Sequence, residues 1–141
     1  NETKFVALMN LRAKQLGLTD THFVRPDGLD APGHVSSARD VTTLARLLMQ
    51  KPVVRKIVAM RDATIEGDRR LHTWNDLLGV YPGVIGVKTG TTWRAGNCVV
   101  AVAEKNGVRV LIVLLAARDR WFSAASLLDR AFEFGARTAI P

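Results

Sequence analysis

The chain has 141 residues, 48% hydrophobic and 23% charged, which suits a globular domain and excludes a disordered polymer. Its net charge of +7 admits anionic partners, but the basic residues are scattered, the densest groups being Arg69-Arg70, Lys51 to Lys56 and Arg118 to Arg120. No aromatic residues interleave with these groups as a single-strand stacking platform requires, so the pattern argues against nucleic acid.

A lone cysteine, Cys98, excludes an internal disulfide. The longest apolar run, Val108 to Ala117, is interrupted by Arg109 and has the length of a buried strand rather than of a membrane span. Asn1-Glu2-Thr3-Lys4 leads directly into a helical pattern and does not read as a signal peptide, a start that a secreted protein after processing, or a fragment, also gives.

In that first pattern Phe5, Leu8, Met9, Ala13 and Leu16 recur at helical spacing, and Gly17 is expected to end the helix. Thr19 to Val35 reads as a loop, with turn signals at Pro26-Asp27-Gly28 and Ala31-Pro32-Gly33. A loop of that length inside a compact domain is often functional. Ser37-Ala-Arg-Asp40 reads as a capping box, followed by Val41, Leu44, Ala45 and Leu48 on one helix face. Lys51-Pro52 stops that helix. Ile57 to Ile65 is read as a strand, Glu66-Gly67-Asp68 as a turn, and Leu71 to Val80 as a loop with a helical turn at Asn75 to Leu78.

Three strands are expected next, at Val84 to Thr89, Gly96 to Glu104 and Val108 to Leu115. Asn106-Gly107 is the dipeptide of a type I′ hairpin, and the link from Thr89 to Gly96 is too short for a parallel crossover. The three strands therefore form an antiparallel meander. Ala124, Leu127, Leu128, Ala131 and Phe132 line a closing helix that Gly135 is expected to end. The fold class is α+β, a meander with helices packed on it.

Lys88-Thr89-Gly90 falls on the first strand of the meander. Glycine lets a substrate backbone approach, lysine supplies positive charge and threonine a hydroxyl. An edge strand so built can take an extended peptide as an added strand. Together, Phe5-Val-Ala-Leu-Met-Asn10, Leu16-Gly-Leu-Thr-Asp-Thr-His-Phe23, Pro26-Asp-Gly-Leu29, Ser36-Ser-Ala-Arg-Asp40, Asn75-Asp-Leu-Leu78 and Gly86-Val-Lys-Thr-Gly-Thr-Thr92 with Ala95-Gly96 cover nearly the whole chain. In this order they resemble the D-alanyl-D-alanine carboxypeptidases, serine peptidases among the penicillin-binding proteins, whose signature includes Lys-Thr-Gly.

The resemblance implies the penicillin-binding transpeptidase-like fold, no cofactor, and action outside the bacterial cytoplasmic membrane. The implied substrate is a peptidoglycan stem peptide ending in D-Ala-D-Ala, cleaved through an acyl-enzyme, with β-lactams as alternative acylating agents. Lys88, Thr89, Gly90, Thr91 and Thr92 would bind substrate, the Thr91 backbone N–H would serve the oxyanion, and Arg118 or Arg120 would meet the substrate carboxylate. The chain departs from the family in one respect. Ser36, Ser37, Ser123 and Ser126 are followed three residues later by Arg39, Asp40, Ser126 and Asp129, so no Ser-x-x-Lys is present, and the Ser-x-Asn element is missing too. Residues 1–141 are therefore expected to be the back half of one catalytic domain, either paired with a separate front-half polypeptide that carries the serine or one piece of a cleaved or longer protein. An endopeptidase or β-lactamase of the same fold, or a non-catalytic module that binds cell wall, are the alternatives.

His22, His34 and His72 lack metal spacing, and the first two are expected to hydrogen-bond the long loop in place. Cys98 is expected as a small core residue and Asn75 as an organiser of its loop. Trp74 and Trp93 flank the expected groove; either could line a pocket, and packing is the simpler reading.

Overall fold

The computed structural model describes residues 1–138, so the last three residues of the expected 1–141 span lie outside the described residues. Helix α1 (Glu2–Gln15) is followed by the long loop, then α2 (Ala38–Leu48) and α3 (Pro52–Val58). Strands β1 (Asp62–Ile65) and β2 (Arg69–His72) form a two-stranded hairpin, closed by a single 3₁₀ turn at Glu66–Asp68. Strands β3 (Val84–Thr92), β4 (Gly96–Lys105) and β5 (Val108–Leu114) form a second, antiparallel sheet in the order β3-β4-β5, and α4 (Arg120–Thr138) follows.

The meander is built as the sequence predicts. Lys105 pairs with Val108 across Asn106 and Gly107, whose φ angles of 51° and 77° give the two left-handed residues a type I′ turn needs. Strand alternation then sorts the side chains. Val99, Ala101 and Ala103 share one face with their partners Leu114, Ile112 and Val110, and α4 covers them with Ala124, Leu128 and Phe132. Small residues on β4 let α4 approach closely, and Ala101, Ala103, Ala124 and Leu128 are fully buried. Val102 and Leu111 face the other way, toward Met49 at the end of α2.

Four local expectations are corrected. Ile57 to Ile65 is not one strand: α3 runs to Val58 and β1 begins at Asp62. Pro52 ends α2, yet it also occupies the first turn of α3, where its fixed φ and missing N–H suit a helix start. Leu71 and His72 belong to β2, pairing with Ala63 and Asp62. Gly135 does not end α4; it lies inside the helix, beside Val108 of β5, and packing on the sheet outweighs the modest cost of a helical glycine. Ser37 caps α2 by accepting from the Asp40 N–H at 3.3 Å, but the Asp40 carboxylate does not reach back to complete a box. It is buried, and it accepts from the Asp20 N–H at 2.9 Å and the Thr21 hydroxyl at 2.6 Å, holding the start of the long loop.

The same loop is fastened to α1 by Asn10, whose side chain donates to the Phe23 carbonyl at 2.7 Å and accepts from the Phe23 N–H at 2.8 Å. His22 and Val35 exchange backbone hydrogen bonds, and His34 Nδ1 accepts from the Val24 N–H at 3.0 Å, the loop-holding role expected of it. Helix α1 itself buries only Ala13 among the described residues; Phe5, Leu8 and Leu11 are all more than half exposed.

Gly86 sets how closely α3 meets β3. Its φ is 138°, and a Cβ there would lie 2.6 Å from Val58 Cγ2. Gly86→Ala is therefore expected to destabilise the fold by about 1–3 kcal/mol, through overpacking and backbone strain, with the urea midpoint as the measurement.

Candidate active site

Strand β3 is an edge of its sheet, and its outer side has no strand partner among the described residues. Lys88, Thr89 and Gly90 pair inward with Val100, Val99 and Cys98 of β4. Lys88, Gly90 and Thr91 are exposed and Thr89 half-buried, so the tripeptide is presented along an open edge rather than packed away. A Cβ added to Gly90 would meet no atom within 4 Å, and its φ is not positive. Nothing inside the protein requires glycine there; what the missing side chain leaves clear is the space outside the strand.

Trp74, Lys88, Thr89, Gly90, Thr91 and Arg120 line one open groove of about 300 Å³. Arg120, from the start of α4, donates to the Gly90 carbonyl at 3.1 Å and to the Thr91 hydroxyl at 2.6 Å. The guanidinium carbon also lies over the Trp121 ring, 4.4 Å from its centroid. The Thr91 hydroxyl donates in turn to Asn97 Oδ1 at 3.1 Å. Lys88 Nζ donates to the Thr89 carbonyl. Among the described residues neither Lys88 nor Arg120 is ion-paired with an acidic side chain, so the groove carries two cations that the chain does not neutralise. Such a pair suits a carboxylate, which the planar guanidinium can grip with two hydrogen bonds.

Two of the expected site residues lie elsewhere. Arg118 is exposed and does not line the groove. The Thr92 hydroxyl points to the long loop, donating to Asp30 Oδ1 at 2.6 Å and accepting from the Ala95 N–H at 3.1 Å. Asp30 also accepts from the Arg94 N–H at 3.0 Å. This clasp ties the loop to the β3–β4 turn, directly beyond the exposed strand. Sequence reading took the region around Asp30 only as turn signals, because a bond across 62 positions leaves no local pattern. The bond to Thr92, and after it that to Arg94, holds the Asp30 carboxyl below the ordinary carboxylate range.

The tryptophans are not packed as the simpler reading had it: Trp74 is 83% exposed and Trp93 97%. Cys98 is only half-buried and borders a separate pocket of about 460 Å³ with Asp30, His34 and Arg94. Asn75 is buried, and its side chain accepts from the Leu77 N–H at 3.3 Å, as an organiser of its loop should. No group of three or more His, Cys, Asp or Glu side chains suited to a metal occurs among the described residues, and no helix there is long and apolar enough to cross a membrane.

This arrangement, a Lys-Thr-Gly edge strand with the last helix packed behind it, has the fold of penicillin-binding proteins. A penicillin-binding protein homologue from Mycobacterium tuberculosis superposes with a TM-score of 0.89 at 33% identity, over 99% of this chain and 57% of that one. The cefotaxime-bound penicillin-binding protein D2 of Listeria monocytogenes gives 0.83 at 35% identity, over 91% and 55%. The D-alanyl-D-alanine carboxypeptidase DacF of Bacillus subtilis is 36% identical over 139 residues, which is 94% of this chain and 36% of that protein. Residues 1–119 match the profile of the peptidase S11 family, D-alanyl-D-alanine carboxypeptidase, and the chain belongs to that family. It spans about a third to a half of the length of the curated relatives it matches.

Because Asp30 has a depressed pKa, its clasp contributes stability above the unfolded carboxyl value of about 3.9, and loses it as pH falls through the lower folded value. Asp30→Ala is expected to speed hydrogen exchange at the Arg94 amide several-fold at neutral pH while leaving β4 amides protected. Unchanged exchange at Arg94 would show that the clasp does not hold the turn.

Proposed function

We propose that this chain is the substrate-binding half of a serine-type D-Ala-D-Ala carboxypeptidase working outside the cytoplasmic membrane. The observation that carries the reading is the exposed Lys88-Thr89-Gly90 edge, with Arg120 held against Gly90 and Thr91 and, among the described residues, no acidic partner for either cation. A stem peptide lies along β3 as an added strand, close to Gly90, with its terminal carboxylate held by Lys88, Thr89 and Arg120. The nucleophile comes from a Ser-x-x-Lys segment outside these 141 residues, on a front-half polypeptide or on another part of a longer chain. The exposed Phe5, Leu8 and Leu11 of α1 and the edge of β5, which has no strand partner among the described residues, are surfaces such a segment would cover.

The serine oxygen attacks the carbonyl carbon of the penultimate D-alanine as the lysine of its own motif takes the hydroxyl proton. The Thr91 N–H stabilises the resulting oxyanion, a type of contact worth ~10²–10³ in rate. The C–N bond then breaks, the proton passes to the departing amine of D-alanine, and water hydrolyses the acyl-enzyme. A β-lactam opens by the same attack but keeps its amine tethered. Thr92 and Arg118 have no part in this reading, since one is engaged by Asp30 and the other lies away from the groove.

Fluorescent penicillin is expected to leave this chain unlabelled by itself and to label a serine once the Ser-x-x-Lys segment is present. In that complete protein Lys88→Ala should slow acylation about 10- to 100-fold, the worth of a charge-assisted hydrogen bond. An unchanged rate would remove Lys88 from the site. Release of D-alanine from a stem pentapeptide, rather than cleavage of a crosslinked dimer, separates a carboxypeptidase from an endopeptidase.

A further inference from the structure

Trp74 sits with its indole in solvent on a backbone that is clamped on both sides. The Thr73 N–H donates to the Arg61 carbonyl at 2.8 Å, and the Asn75 N–H donates to the Thr73 hydroxyl at 3.2 Å. Asn75, Leu77 and Leu78, which follow it, are 4–5% exposed. An exposed tryptophan alone needs no explanation. This one lines the groove that also holds Lys88, Thr89, Gly90, Thr91 and Arg120, where every other lining residue offers charge, hydroxyl or backbone. Trp93 is exposed too, but does not line that groove. The groove thus has a cationic side and a single large apolar plate. A ligand that fits it carries a carboxylate at one end and an apolar group within reach of the indole.

We propose that Trp74 is a specificity determinant. Its indole packs against the apolar side chain of the bound acyl donor, while Lys88 and Arg120 hold the carboxylate. This rests on the carboxypeptidase reading and deepens it, because an indole discriminates by contact area and π-stacking rather than by charge. Donors with an aromatic or long aliphatic group beside the reacting carbonyl are favoured over donors without one.

The test uses the complete protein containing the Ser-x-x-Lys segment and compares acylation by two penicillins. One is benzylpenicillin, with its aromatic side chain, and the other is the unsubstituted aminopenicillanic acid nucleus. Trp74→Ala is expected to slow acylation by benzylpenicillin about 10-fold and by the bare nucleus less than about 2-fold. Trp74→Phe should restore most of the loss, and the thermal midpoint should be unchanged, since the side chain is 83% exposed. Equal losses with both penicillins, or no loss with either, overturn the proposal. A wild-type protein acylated by neither compound overturns the carboxypeptidase reading, and the role of Trp74 falls with it.

Discussion

The middle of strand β4 is buried and both edges of the strand are paired. Val99, Ala101, Val102 and Ala103 are at most 1% exposed, with β3 on one side and β5 on the other. A strand so enclosed has one workable register, because a slip by one residue would turn each buried side chain to the wrong face. That register sets Lys88 opposite Val100 and Thr91 opposite Asn97. It also sets where α4 must lie, since Ala124 and Leu128 pack on the alanines of β4, and so where Arg120 at its first turn meets Thr91. The groove is a by-product of the core: its cations sit where they do because β4 cannot move.

The Tyr81 hydroxyl supports the same packing from the far end, donating to Asp129 of α4 at 2.6 Å and accepting from Lys105 of β4 at 3.0 Å. Burial, and then the bond to Asp129, hold the phenol above its ordinary pKa, in keeping with a hydroxyl that donates to a carboxylate. Helix and sheet are thus joined at both ends of their contact, by Arg120 at the groove and by Tyr81 away from it.

What the sequence made legible follows from how locally each feature is encoded. The meander was readable because apolar alternation, a short link and Asn106-Gly107 are local signals with one physical solution. Lys88 to Thr91 stand out through a motif, and the structure places them on an exposed edge strand. The start of α3 is hidden in the sequence because Pro52 serves two purposes, ending α2 and opening α3. Residue type favours burial for a tryptophan, whereas Trp74 directly precedes the buried Asn75 and Leu77 and Trp93 falls in the exposed β3–β4 link. Which of Arg118 and Arg120 lines the groove depends on where α4 starts, which two arginines two residues apart do not define. Asp30 carries a contact with no periodicity and no neighbour in sequence, so only the folded chain brings it to Thr92.

The Asp30 clasp has a bearing on the order in which the chain assembles. Its two ends are separated by 62 positions, whereas the strands it stabilises meet through a three-residue link. Short closures are entropically favoured and fast, and long ones wait until their partners are already in place. The β3–β4 turn can therefore form early without the loop, while the loop can dock only on a turn already made. The long loop, and with it the wall it builds beyond the groove-bearing strand, would be among the last parts of the fold to settle.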